Sequence, residues 1–321
     1  MKKEARRVQV NTMDAGIDKK HSHAGYVVTI IFLAIAFMLC FFLLIVQIEP
    51  PSDANTAVIH VDGVILTGSG PGYFDGNTYS NDIISFIEDA SKNNNIKAII
   101  FEINSPGGSA VASSEINQAI KKARASGKTT VALIREQGTS GAYWIASACD
   151  YIITHQLSIT GSIGVLASYL EYSGLLERFN ITYEQLNAGI YKDTMSPYRE
   201  LSPEEKLLLQ QKVNLIYNAF VKEVALNRNL SEEKVRDLAT GMFYIGEEAK
   251  NLGLVDELGG KDETLNYVHK RIGKEPKIKE YVLSSNFLLK LYGLQDKAFF
   301  MMGKGIGTTL VDSQNFLNIR A

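Results

Sequence analysis

Residues 26–46 contain no charged side chain. As a helix rising about 1.5 Å per residue, a stretch of this length crosses a hydrocarbon core of about 30 Å. A cleaved secretory signal has a shorter apolar core followed by small residues, whereas here Gln47-Ile48-Glu49-Pro50-Pro51 follows, so the sequence predicts a retained anchor. Ahead of it, Lys2, Lys3, Arg6, Arg7, Lys19 and Lys20 outnumber Glu4, Asp14 and Asp18. The positive-inside rule then sets the N-terminus in the cytoplasm and everything after Pro50 outside the cell membrane.

The anchor partitions the chain. Residues 1–25 read as a cytoplasmic segment, 26–46 as a single transmembrane helix, 47–55 as a linker, 56–275 as an α/β domain and 276–321 as a C-terminal tail. At 321 residues and 45% hydrophobic content the chain can bury a sizeable core. Its 33 basic and 35 acidic side chains leave no electrostatic footprint for nucleic acid, which is excluded as a main partner. The two cysteines, Cys40 and Cys149, are too few for a disulfide framework. No cofactor or metal is expected.

Between the linker and the tail, β-branched runs alternate with helical patterns. Residues 57–61, 63–65, 96–103, 129–134, 151–154 and 181–186 read as strands, and 79–90, 109–125, 140–148 and 168–179 as helices. That order predicts an α/β fold with a parallel sheet covered by helices. Residues 187–201 read as a loop. Ser202-Pro203-Glu204-Glu205 then opens a long helix with an N-cap serine, a proline in the first turn and a capping-box glutamate. Ser231 caps another, and 246–252 and 261–272 read as two more.

Ser140 falls where a strand meets a helix, in Thr139-Ser140-Gly141-Ala142-Tyr143. Acyl transfer needs an activated nucleophile, a base within reach and fixed donors for the oxyanion. Gly141 N–H, at a helix start, is one candidate donor. Asn104-Ser105-Pro106-Gly107-Gly108 also ends a strand before a helix, and its Gly107 and Gly108 let a backbone approach a substrate closely. Lys192, in Tyr191-Lys192-Asp193, is the candidate base, since desolvation makes a lysine amine basic near neutrality. Each element also has a plain reading: an N-cap serine, a Pro-Gly-Gly turn, a solvated loop lysine and, for Thr160-Gly161-Ser162-Ile163-Gly164, another turn.

In combination these motifs resemble the signal peptide peptidase A family of membrane-bound serine proteases, over roughly residues 57–272. The resemblance implies that Ser140 is the nucleophile and that Lys192, in Lys192-Asp193-Thr194-Met195-Ser196-Pro197, is the general base. It also implies that Ser162 hydrogen-bonds and orients the lysine, and that Gly107, Gly108 and Gly141 form the oxyanion hole. Ala142 stands where glycine is common in the family. The implied fold is similar to that of the Clp protease and crotonase groups, and the implied assembly is a homo-oligomeric ring or dome, expected as an octamer, with serine and lysine meeting across a subunit boundary. Signal peptides left in the membrane and other extended apolar peptides are the implied substrates.

Rival readings are weaker. Gly138-Thr139-Ser140-Gly141-Ala142 narrowly misses the nucleophile elbow, which would call for a histidine base, with His155 the best placed. Ser231-Glu232-Glu233-Lys234 matches a bare Ser-x-x-Lys pattern but reads as a capped helix start. A crotonase-like acyl-CoA enzyme and a noncatalytic membrane scaffold or peptide-binding assembly are the remaining alternatives. The span argues against the first, and retention of Ser140 and Lys192 against the second.

Overall fold

The computed structural model describes residues 23–46, 53–70 and 76–282. The basic N-terminal segment, most of the linker and the tail beyond residue 282 lie outside the described residues. The chain divides into two units, residues 1–52 and residues 53–321.

In the first unit, the helix α1 spans His23–Val46. Its described side chains, residues 26–39, are all exposed, Phe32 and Phe37 by 70% and 74%. That stretch alone is about 21 Å of helix. Among the described residues no helix is long and apolar enough to cross a membrane, so the fold does not show the expected span.

The second unit is built on β-α-β repeats. Its elements run β1 (Thr56–Leu66), β2 (Thr78–Tyr79), α2 (Ser80–Lys92), β3 (Ala98–Gly108), α3 (Ala110–Ala125), β4 (Thr129–Thr139), α4 (Gly141–Ser147), β5 (Tyr151–Thr154) and β6 (Ile159–Gly161). After them come α5 (Ser173–Arg178), α6 (Pro203–Arg228), α7 (Glu232–Leu238), β7 (Phe243–Ile245), α8 (Gly246–Asn251), β8 (Glu257–Leu258), α9 (Lys261–Ile272) and β9 (Ile278–Tyr281). The strand order β2-β1-β3-β4-β5-β8 is parallel throughout, as the alternating pattern predicts.

Side chains alternate across this sheet with period two. Ala57, Ile59, Val61, Ile99, Phe101, Ile103, Ala132 and Ile134 pack into the main core with the helices, among them Ile116 and Ile120 of α3 and Phe220 of α6. Val58, Ala98, Ile100, Val131 and Leu133 face the other way, against Val268 of α9. Full burial of each such aliphatic side chain contributes roughly 1.5–3 kcal/mol.

The sheet forks at its C-terminal edge, and the fork places the chemistry. β4 pairs with β5 through residues 131–134 and then with β6 through residues 137–139. β1 likewise pairs with β9 through residues 56–59 and with β2 at residues 65 and 66. Thus β3 and β4 continue well past the expected strand ends at residues 103 and 134, carrying the Pro-Gly-Gly segment and Thr139 as strand. β9, within the stretch expected as tail, belongs to the sheet.

Two expected elements do not form as read. Residues 168–179 hold only the short α5, and residues 181–186 form no strand. A strand needs a neighbour for its backbone N–H and C=O groups. Residues 181–186 pair with no strand among the described residues and are exposed from end to end.

Candidate active site

Ser140 connects β4 to α4 with φ 54 and ψ −124. A non-glycine residue at positive φ away from the left-handed helical well is strained by about 1–3 kcal/mol. The strain is held in place on both sides: Ser140 N–H donates to Gly161 O at 2.8 Å, and Ser140 O accepts from Trp144 N–H at 3.0 Å. The Ser140 side chain makes no capping hydrogen bond to α4. The plain N-cap reading of this serine therefore fails, and its half-buried hydroxyl is left for other work.

The glycines meet around it. Gly107 has φ +96, and a Cβ there would lie 2.9 Å from Ser140 Cβ and 2.7 Å from Gly141 N. A Cβ on Gly141 would lie 3.3 Å from Gly108 N and 2.3 Å from Ser113 Oγ, and one on Gly108 would lie 2.1 Å from Ile65 O. Backbone from the ends of β1, β3 and β4 is thus in contact, with no room for side chains. Gly107 N–H donates to the buried Ser105 Oγ at 3.0 Å. That engagement takes the Gly107 N–H out of the set of amides free to meet a ligand. Thr139 Oγ1 donates to Pro106 O at 3.2 Å and ties the two strand ends together. Sequence reasoning did not single out Ser105 or Thr139, because their roles depend on the register of β3 against β4.

Ser162, with φ 48, follows the residue whose carbonyl accepts from Ser140. Its Oγ donates to Gly241 O at 2.9 Å. Lys192 is exposed, in the loop before α6, and its N–H donates to Gly189 O at 3.1 Å. Among the described residues no hydrogen bond or ion pair joins its ammonium to Ser140 or Ser162. Ser140, Ser162 and the three glycines are therefore brought together, and Lys192 is not linked to them within one chain. His155, the rival base, is exposed; its Nδ1 accepts from Leu157 N–H at 3.2 Å, and no described contact links it to Ser140.

The floor under the serine is rigid. Tyr143 OH donates to Leu254 O at 2.8 Å, and full burial pushes the phenol's pKa up. Arg228 Nη1 and Nη2 donate to Asp256 at 2.9 and 2.7 Å, and Asp256 accepts from Ile152 N–H. Among the described residues no cluster of three or more His, Cys, Asp or Glu side chains is arranged to hold a metal ion.

The arm between β6 and α6 is unlike the rest. Leu166, Leu170, Leu186 and Ile190 are exposed by 89%, 79%, 104% and 81%. A strained serine at a strand-to-helix turn, faced by crowded backbone glycines, is an arrangement that acyl-transfer chemistry can use.

Residues 122–274 match the model of peptidase family S49. A protein named as a protease in Methanocaldococcus jannaschii is 37% identical over 71% of this chain and 72% of its own length. A protein from Enterococcus faecium named as signal peptide peptidase SppA is 32% identical over 69% of this chain and 65% of its own length. The chloroplastic serine protease SPPA of Arabidopsis thaliana is 31% identical over 64% of this chain but only 30% of its own length. The chain belongs to peptidase family S49, the signal peptide peptidase A family, and is a serine protease of that type.

Proposed function

We propose that this chain is a membrane-anchored endopeptidase in which Ser140 attacks the peptide carbonyl and Lys192 serves as general base. The observation that carries the reading is the strained backbone of Ser140 with Gly107 pressed against it, because only a site that uses that serine repays the strain. The Gly108 and Gly141 N–H groups would bind the oxyanion, and Ser162 would turn to the lysine once it arrives.

A lysine acts as a base only when desolvated. Lys192 is exposed in a single chain, so its burial has to come from a second copy, and the bare apolar arm is the surface for it. We assign the chain to a homo-oligomeric ring or dome, an octamer by family likeness; the membrane attachment rests on the uncharged stretch of residues 26–46 alone, with the N-terminus in the cytoplasm and the site outside. Substrates are then remnant signal peptides and other extended apolar peptides, held by main-chain hydrogen bonds beside the strand ends.

The test is cleavage of apolar peptides by the full chain in detergent, with Ser140→Ala and Lys192→Ala alongside. Both variants should lose activity, and mixing them should restore part of it, because one intact serine can meet one intact lysine across a boundary. Residual activity in either variant alone would sink the dyad. The lack of a described contact between Lys192 and Ser140 also suits a noncatalytic peptide-binding assembly, which predicts peptide binding without turnover.

A further inference from the structure

The loop bearing Lys192 is exposed, yet it contains the densest ionic network among the described residues. Arg199 lies at its centre. Its Nη2 donates to Asp193 Oδ1 at 2.9 Å, and its Nε to Asp193 Oδ2. The same guanidinium donates through Nη1 and Nη2 to both oxygens of Glu205, at 2.9 and 2.6 Å. Glu205 is buried, accepts from Ser202 N–H at 2.9 Å and from Thr194 Oγ1 at 2.8 Å, and closes the capping box of α6. Asp193 and Thr194, the two residues after Lys192, are therefore both fastened to the first turn of a 26-residue helix.

We propose that Arg199 is a positioning residue for Lys192: it clamps the lysine's backbone to α6 and keeps the Asp193 carboxylate from pairing with the lysine ammonium. The proposal rests on Lys192 being the general base. Two physical effects support it. Holding an irregular loop in one conformation costs backbone entropy, which a bidentate guanidinium bridge between two carboxylates helps to offset. A free carboxylate beside an ammonium also favours the charged form, the wrong form for a base. The charged and titratable groups on and around this segment include Asp193, Tyr198, Arg199 and Glu200 from the loop, Glu204 and Glu205 from α6, and Tyr172 and Tyr183, whose rings pack against Tyr198, with Tyr191 OH donating to Glu204 at 2.5 Å. Arg199 already holds Asp193 and Glu205 below the usual carboxylate range.

The experiment is a pH profile of peptide cleavage by the full chain carrying Arg199→Gln, Arg199→Lys or the double change Arg199→Gln/Asp193→Asn, beside Lys192→Ala. Arg199→Gln should lower kcat on the order of ten- to a hundred-fold with little change in KM, and move the acidic limb of the profile up by about one pH unit. Adding Asp193→Asn should return the limb to its wild-type position without restoring the full rate. Arg199→Lys should recover only part of the rate, because an ammonium cannot bridge two carboxylates bidentately. An unmoved limb in Arg199→Gln, or a displaced limb that Asp193→Asn leaves in place, overturns the proposal. If Arg199→Gln does not fold, as judged by circular dichroism, Arg199→Lys decides, and wild-type kcat with a wild-type limb overturns the proposal. Activity in Lys192→Ala would instead overturn the dyad on which the proposal rests.

Discussion

Gly107 and Ser140 are packed so closely that a methyl group on the glycine would stand 2.9 Å from the serine's Cβ. The two residues come from different strand ends, and their contact brings the Ser140 side chain beside the backbone of Gly107 and Gly141. Gly107→Ala has two faults to absorb, a positive φ and a clash with the Gly141 nitrogen. We expect a loss of about 1–3 kcal/mol in stability and on the order of a hundred-fold in kcat. Urea titration and peptide turnover measure both, and near-wild-type turnover would remove Gly107 from the site.

Ser140 itself is a stability cost. Glycine adopts φ 54, ψ −124 more readily than serine, so Ser140→Gly should raise stability by about 1–3 kcal/mol while abolishing cleavage. Ser140→Ala should abolish cleavage without that gain, since alanine keeps a Cβ. Calorimetry of the two variants side by side is the check, and equal melting temperatures would argue against strain at this position.

Arg228 supports the site from beneath. Its side chain is almost fully buried against Asp256, and it also donates to Gly253 O, in the segment that accepts the Tyr143 hydroxyl. Arg228→Met removes one partner of a largely buried pair and should cost about 3 kcal/mol. Activity of the surviving folded fraction should fall as well, because Tyr143 lies one turn from Ser140. A denaturation midpoint within error of wild type would refute the buried-pair reading.

Acid should loosen the lysine-bearing loop first. Asp193 and Glu205 both have folded pKa values depressed by Arg199, so the stability they contribute is present above their unfolded values near 4 and is lost as pH falls through the lower folded values. Hydrogen exchange or limited proteolysis should show residues 187–201 opening below about pH 4, ahead of the sheet. In Arg199→Gln the loop should already be open at pH 7, and protection as strong as in wild type would count against the clamp.

Several elements were legible because their causes are local. Ser202, Pro203 and Glu205 predict the start of α6, and the structure forms that capping box; Ser231 likewise accepts from Lys234 N–H at 3.1 Å. Buried parallel strands also declare themselves, since both faces of residues 98–103 and 129–134 need apolar side chains. Residues 181–186 carry strand-like chemistry without a described partner, and pairing is not a local property. The helix expected over 168–179 shortens to α5, whose residues bury nothing, for the related reason that an amphipathic helix depends on a surface to pack against.

The sequence by itself determined the alternating β-α order, the capped helices, the chemical types at Ser140, Gly107, Gly108, Gly141, Ser162 and Lys192, and the likeness to a peptidase family. Only the tertiary structure decided that Ser140 is strained and not a cap, that Ser105 takes the Gly107 amide, and that Arg199 joins Asp193 to Glu205. Composition and short-range pattern follow from each residue's own preferences, which the chain carries everywhere. Strain, register and ion-pair choice arise only when distant backbone is forced into contact, and at this site that contact is the meeting of two strand ends over a glycine.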